Sequence, residues 1–315
     1  MSEPTVTRLR VADPAVHALV AAAVSADGVS PVNERGRSAL HGSRDGIHWV
    51  ATHHTTQTQK STQTQKSTDT QDSTGSHQQV LGWAWLDPED SSVQLVVHPD
   101  HRRRGIGRSL AEAVLREAEP RHWWAFGTLP GAVALANSLG LSLDRRLLIM
   151  VRDMIAHPEA PPEPLPGIDL VSFTPELIGD LVRINAAAFA HHPEQGSMSA
   201  DDVAQKMAEP WFDATGLLFA RERETGELLG FHWTKIEYHT RARGKLPVGE
   251  VYVIGVHPQA HSRGLGRHLL SAGLAYMAGR GVEHVHLYVE ASQERVVHLY
   301  DSANFVVSSR DSSFA

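Results

Sequence analysis

Apolar and polar positions along this chain fall into two successive series of strand-like and helix-like runs, and the second series repeats the first. The repeat is sharpest in one unit. Residues 251–256 (VYVIGV) read as a short apolar strand, followed by a His-Pro turn and a basic loop, HSRGLGR. Behind the loop, apolar residues near Leu265, Leu269, Leu270, Leu274 and Met277 recur at helical spacing. Residues 95–115, LVVHPDHRRRGIGRSLAEAVL, carry the same strand, His-Pro turn, Gly-x-Gly loop and helix. Leu95 and Ile254 stand 159 positions apart, close to half the chain, which marks a tandem duplication.

The remaining runs complete each half. Asp13 as N-cap with Pro14 behind it opens a helix that ends near Asp27-Gly28, and a second short helix follows Asn33. Residues 47–51 and 80–86 read as strands. Between them, residues 55–79 form a near-perfect QTQKST repeat without one apolar residue, which predicts a disordered loop. Strands at 123–126 and 147–151 flank a helix at 131–139. Residues 156–167, AHPEAPPEPLPG, are proline-rich and stiff, as a linker is. In the second half, strands fall at 168–173, 217–221, 229–236, 250–256 and 284–290, with helices at 175–188, 200–208 and 294–302. The predicted architecture is α+β: two tandem domains, 1–155 and 168–315, each a mixed, mostly antiparallel sheet flanked by helices, joined by 156–167.

Composition narrows the function. The 315 residues suffice for two domains of about 150 each. A 41% apolar and 21% charged content is ordinary for a globular protein. No apolar run approaches the roughly 18 residues that span a membrane. The opening MSEPTVTRLR lacks the apolar core of a secretory signal, and the absence of cysteine fits the expected cytoplasmic protein. The net charge of −7 argues against a nucleic-acid partner. Zero cysteines exclude disulfides, thiolate metal sites and a Cys nucleophile. His257 and His261 are four apart, but Pro258 keeps them off a helix and no carboxylate completes a site, so no metal is expected.

A Gly-x-Gly loop opening a helix is either a surface turn or a cradle for a pyrophosphate, which the helix N–H groups face. Its duplication favours the cradle. Arg102-Arg103-Arg104-Gly105-Ile106-Gly107 resembles the acetyl-CoA signature of the GNAT superfamily of N-acetyltransferases, Arg/Gln-x-x-Gly-x-Gly/Ala. The second copy departs from it, with His261 at the first position, which weakens one side-chain contact and leaves the backbone intact.

Acetyl transfer to an amine needs a polarised carbonyl, an unprotonated amine and a proton or its equivalent for the departing thiolate. Gly255, inside the strand before the loop, marks either a bulge that frees a polarising N–H or a site of close packing. Glu250 is a candidate base, or a solvated carboxylate at a strand start. Tyr300 is a candidate acid, or a core tyrosine. The 159-residue offset places Glu250 opposite Ser91, and aligning DSANF with NSLGL places Tyr300 opposite Ala136. Only the second half carries both proton-transfer residues, which makes it the expected catalytic half.

The blocks DGVSPVNE, FAHHPEQG, LLGFHWTK, GEVYVIGVHP and LYVE resemble the mycothiol synthase family, tandem acetyltransferases of actinobacteria, over the full length except 55–79. The resemblance implies acetyl transfer from acetyl-CoA to the cysteinyl amine of desacetylmycothiol, a cysteinyl-glucosaminyl-inositol; the candidate base and acid for that transfer are Glu250 and Tyr300. It implies substrate contacts from Glu34, Glu194, Lys235, Glu250 and Tyr288. Since Glu34 lies in the first half, a substrate cleft between domains is expected. One acetyl-CoA per domain is also implied. The first would lie on Leu95, Val96, Val97, Arg103, Arg104, Gly105, Ile106, Gly107 and Arg108. The second would lie on Ile254, Gly255, Val256, His261, Ser262, Arg263, Gly264, Leu265, Gly266 and Arg267, with Gln293, Glu294, Arg295, Val296, Val297 and His298. Gln293 stands where the family has Asn, which shifts a contact. A monomer is expected. Two other readings remain: a tandem acetyltransferase for another small amine such as an aminoglycoside, and a non-catalytic acyl-CoA sensor.

Overall fold

The computed structural model describes residues 4–53, 79–190, 193–241 and 244–315. In chain order the first half holds β1 (Thr5–Leu9), α1 (Val16–Asp27), α2 (Glu34–Leu40), β2 (Ile47–His53), β3 (Gln79–Asp87), β4 (Ser92–Val97), α3 (Ile106–Glu117), β5 (His122–Ala125), α4 (Pro130–Ser138) and β6 (Leu143–Asp153). The second holds β7 (Ile168–Ser172), α5 (Ile178–Ala188), α6 (Pro193–Gly196), α7 (Ala200–Met207), β8 (Leu217–Glu222), β9 (Leu228–Arg241), β10 (Gly244–Val256), α8 (Leu265–Gly279), β11 (His284–Glu290), α9 (Glu294–Asp301) and β12 (Val306–Phe314). α1 opens later than its capping pattern suggests, because residues 14 and 15 form a turn in which the Asp13 carboxylate accepts the Ala15 N–H at 2.8 Å. The QTQKST repeat lies outside the described residues apart from Gln79, which begins β3.

Two compact units result, one of Met1–Arg146 with Arg310–Ala315 and one of Leu147–Ser309. In the first, strands run β1-β2-β3-β4-β5 and end on residues 312–314 of β12, which pair antiparallel with β5. In the second they run β6-β11-β10-β9-β8-β7, starting from residues 147–153 of β6. The units therefore divide elsewhere than at 156–167. Each includes strand residues from the other repeat, because ladder hydrogen bonds outweigh sequence continuity. Within each unit one pair is parallel, β4 with β5 and β10 with β11, and the other pairings given are antiparallel.

Both faces of the first sheet are covered, so β3 is apolar almost throughout. Trp83 and Trp85 pack with Val16 and Leu19 of α1, while Ala84 and Leu86 pack with Leu110 and Val114 of α3. In the second unit Leu270, Leu274 and Met277 of α8 pack with Val285 and Leu287, and Phe219, Phe231 and Trp233 pack with Leu181 and Ile184 of α5. α8 also crosses fully buried His232, whose Nδ1 donates to the Leu269 carbonyl at 2.8 Å. Burial pushes this imidazole down to about 4, so it is neutral at neutral pH. A Cβ on Gly273 would stand 2.1 Å from that Nδ1. Gly273→Ala should destabilise the protein by about 1–3 kcal/mol through overpacking, although alanine is the better helix former. Denaturant unfolding checks this, and an unchanged midpoint would show that the ring can yield.

Candidate active site

Both Gly-x-Gly loops fold into the same backbone cradle. In the first unit a short turn at Pro99–His101 leads to Arg103 and Gly105, at φ 62° and 84°, and α3 begins at Ile106. The second unit repeats this with Pro258–Ala260, Ser262 at φ 66°, Gly264 at φ 79° and α8 from Leu265. The left-handed backbone curls the loop, and glycine adopts it without strain at the helix start. Neither helix start is capped by a side chain, whereas Asn33 and Ser199 cap α2 and α7. The first-turn N–H groups are thus left for an anion, and the cradle fits a pyrophosphate.

The signature arginine serves the protein itself. Arg102 donates Nε to the Val97 carbonyl at 3.2 Å and both terminal nitrogens to the Asp27 carboxylate at 2.7 Å. His261 repeats the first of these bonds, Nε2 donating to the Val256 carbonyl at 3.1 Å. The departure at His261 therefore keeps the latch to the preceding strand. His257 is likewise used locally, with Nδ1 accepting the Gln259 N–H.

The two units differ at the strand before the cradle. β4 pairs with β3 without interruption, but the β9–β10 register shifts between Val251 and Val253, leaving Tyr252 as the extra residue of a bulge. The bulge lies here and not at Gly255. Gly255 pairs with Phe231, and a Cβ there would come within 3.0 Å of that ring and 3.2 Å of Ala188, so close packing accounts for the glycine. The extra residue also moves the equivalence by one. Glu250 faces Lys235 and pairs with His286 as Ser92, not Ser91, faces Asp87 and pairs with His122. Beyond Glu250 the β10–β11 ladder stops, whereas the β4–β5 ladder continues through Val93 and Gln94.

Glu250 is thus placed where two parallel strands part. Its Oε2 lies 3.8 Å from Lys235 Nζ and 3.7 Å from His286 Nε2. Lys235, only 7% exposed, also meets Glu237 at 3.5 Å and the rings of Trp211 and Tyr252 at 5.3 and 5.8 Å. A buried ammonium needs such partners. Half-exposed Tyr288 meets the His286 ring edge-on at 5.7 Å. Tyr300, on α9, is 4% exposed and packs edge-on against Phe305. Burial pushes its phenol upward, so it stays protonated and can donate. Its hydroxyl takes no hydrogen-bond partner among the described residues, and it is not among the fully buried unpartnered atoms. Leu135 and Leu299 are the side chains nearest a Cβ on Gly107 and Gly266, which keeps Ala136 as the counterpart of Tyr300.

The structure therefore gathers Lys235, Glu250 and Tyr288 around one ladder end. It adds His286, Trp211 and Tyr252, which sequence reasoning missed although His284, His286 and Tyr288 alternate on one strand face. Glu34 opens α2 in the first unit, behind the Asn33 cap. The Glu194 side chain lies outside the described residues. Gln293 precedes α9, and its carbonyl accepts the N–H groups of Val296 and Val297.

Fold and cradles define a tandem GNAT acetyltransferase. The Acetyltransferase (GNAT) family profile matches residues 182–305, and an Acetyltransferase (GNAT) domain profile matches 70–140. A GCN5-related N-acetyltransferase from Sphaerobacter thermophilus superposes with a TM-score of 0.69 at 20% identity, covering 98% of this chain and 94% of that one. A tandem GNAT protein from the clavulanic acid biosynthesis pathway gives 0.66 at 18%, covering 99% and 98%. Among curated proteins, the mycothiol acetyltransferase of Propionibacterium freudenreichii subsp. shermanii is 43% identical over 94% of this chain and 86% of its own. That of Catenulispora acidiphila is 38% identical over 94% and 92%. The chain belongs to the mycothiol acetyltransferase family and is an acyl-CoA N-acyltransferase.

Proposed function

We propose that this enzyme transfers acetyl from acetyl-CoA to the cysteinyl amine of desacetylmycothiol, and that the second unit performs the chemistry. The observation that carries the reading is the Tyr252 bulge next to Glu250, which lies beside Lys235 and His286 where the ladder ends; the corresponding β3–β4 pair of the first unit has Ser92 and no register shift. Glu250 accepts the proton of the substrate ammonium. The freed nitrogen attacks the thioester carbonyl, the C–S bond breaks, and the second proton lost from nitrogen ends on the departing sulfur, to which Tyr300 donates a hydrogen bond. Because burial raises the phenol, full proton transfer to a thiolate near 8.5 is uphill. Tyr300 thus acts mainly by stabilising negative charge. Lys235 and Tyr288, beside Glu250, contact the acceptor, whose hydroxyls suit an ammonium and a phenol. Each cradle holds one acetyl-CoA, the first without turnover. Thiol release from acetyl-CoA with and without desacetylmycothiol tests the acceptor; equal or faster release with an aminoglycoside would redirect it.

Tyr300→Phe separates the mechanism from core filling. A hydrogen bond to a charged group contributes about 1.5–3 kcal/mol, a factor of roughly 10–150 in rate. The variant should lose that much turnover while its melting temperature barely moves, because the hydroxyl it removes has no partner among the described residues. An unchanged rate would remove Tyr300 from the mechanism.

A further inference from the structure

The proline-rich segment carries Glu159, and unit 2 binds it through one buried guanidinium. Arg152 of β6 has a side chain only 4% exposed. Its Nη1 donates to the Ala303 carbonyl at 2.7 Å, and its Nη2 to the His157 carbonyl at 2.9 Å and to Glu159 Oε2 at 2.5 Å. The other Glu159 oxygen accepts from the Ser271 hydroxyl of α8. The segment is therefore a strap held on this unit, with prolines stiffening the approach to Glu159.

What Arg152 grips is the turn that closes α9. Ala303 stands three residues past Tyr300, and the N–H groups of Ala303 and Phe305 both donate to the Tyr300 carbonyl, at 2.9 and 3.0 Å. The same turn is held by Arg267 of the cradle helix, which donates to the Ser302 hydroxyl at 2.7 Å. Two arginines thus tie the end of α9, one from the cofactor cradle and one from β6. Burying a guanidinium is unfavourable unless its donors are met; here Nη1 and Nη2 are directed at two carbonyls and a carboxylate, while the buried Nε has no partner among the described residues.

We infer that Arg152, with Glu159 as its counter-ion, is a positioning residue for Tyr300. The pair fixes the turn behind the phenol and so holds the hydroxyl where the departing sulfur needs it. The inference rests on the reading of Tyr300 as the leaving-group donor.

A double-mutant cycle on the full-length enzyme tests it, with kcat, KM for acetyl-CoA and melting temperature measured for Arg152→Lys, Tyr300→Phe and the double variant. Lysine keeps the charge and lacks the fork that reaches all three acceptors. With Tyr300 present, Arg152→Lys should lower kcat about tenfold with KM for acetyl-CoA within about twofold. In the Tyr300→Phe background the same change should lower kcat by less than about twofold further. Glu159→Gln should give the same non-additive pattern at smaller amplitude, and carries the test if Arg152→Lys does not fold. Losses that multiply in both backgrounds, or a fall in melting temperature with kcat intact, would overturn the role of Arg152 alone. An unchanged rate in Tyr300→Phe would overturn the leaving-group reading, and this inference with it.

Discussion

Glu250→Gln is expected to lower turnover at neutral pH by about 10²–10⁴, the usual contribution of a positioned general base, while acetyl-CoA binding survives. The substitution keeps the shape of the side chain and removes its charge. Lys235 retains Glu237 at 3.5 Å and the rings of Trp211 and Tyr252, so the buried ammonium is not left without partners. Folding should therefore be preserved, which melting curves check. The pH dependence follows from the substrate. A primary α-amine has a pKa of about 7.7–8.0, so near pH 7 most of it carries a proton that a base must take. Above pH 9 the amine is already neutral and the deficit of the variant should shrink. Full activity of Glu250→Gln at pH 7 would remove Glu250 as the base. A deficit that stays constant to pH 9.5 would instead indicate that Glu250 orients the amine without receiving its proton.

The period of the apolar pattern made the strands and helices legible, and the duplicated Gly-x-Gly loops made the cradles legible. These features are local. A helix face recurs every three or four residues, and a loop that must curl around an anion needs glycine where φ is positive, as at Gly105 and Gly264. The bulge was not legible. Tyr252 is a partly buried aromatic in a strand of alternating burial, and its ring packs against Trp211 and Trp233. One extra residue leaves no mark on such a pattern, because register belongs to the pairing with β9 and not to β10 itself. The one-residue error that set Glu250 opposite Ser91 has the same origin. The proline-rich segment is a different case. Its composition describes stiffness, which a linker and a strap share, and the contact of Glu159 with the buried Arg152 is invisible to it. His261 shows the reverse case: two unlike side chains, Arg102 and His261, meet the same need for one donor to a strand carbonyl.

Matched substitutions in the two cradles should give opposite results. Gly105 and Gly264 hold the same place, at φ 84° and 79° before α3 and α8, and a Cβ on either meets nothing within 4 Å. Valine at either position is disfavoured by backbone conformation and not by neighbours, since a β-branched residue at positive φ is a genuine outlier. To relieve that strain the loop must uncurl, which turns the first-turn N–H groups away from a pyrophosphate. Gly264→Val is expected to abolish acetyl-CoA binding to the second unit and to lower turnover by about 100-fold or more, the equivalent of roughly 2.7 kcal/mol or more in transition-state stabilisation. Gly105→Val should remove the other acetyl-CoA while leaving turnover within about twofold, because Ser92 and Ala136 stand at the positions of Glu250 and Tyr300, to which the proposed mechanism assigns the chemistry. Calorimetry reads the stoichiometry, two sites falling to one in each variant, and steady-state kinetics read the consequence. A single site in the unmodified enzyme would refute one acetyl-CoA per unit. Equal loss of turnover from both variants would refute the assignment of chemistry to the second unit alone.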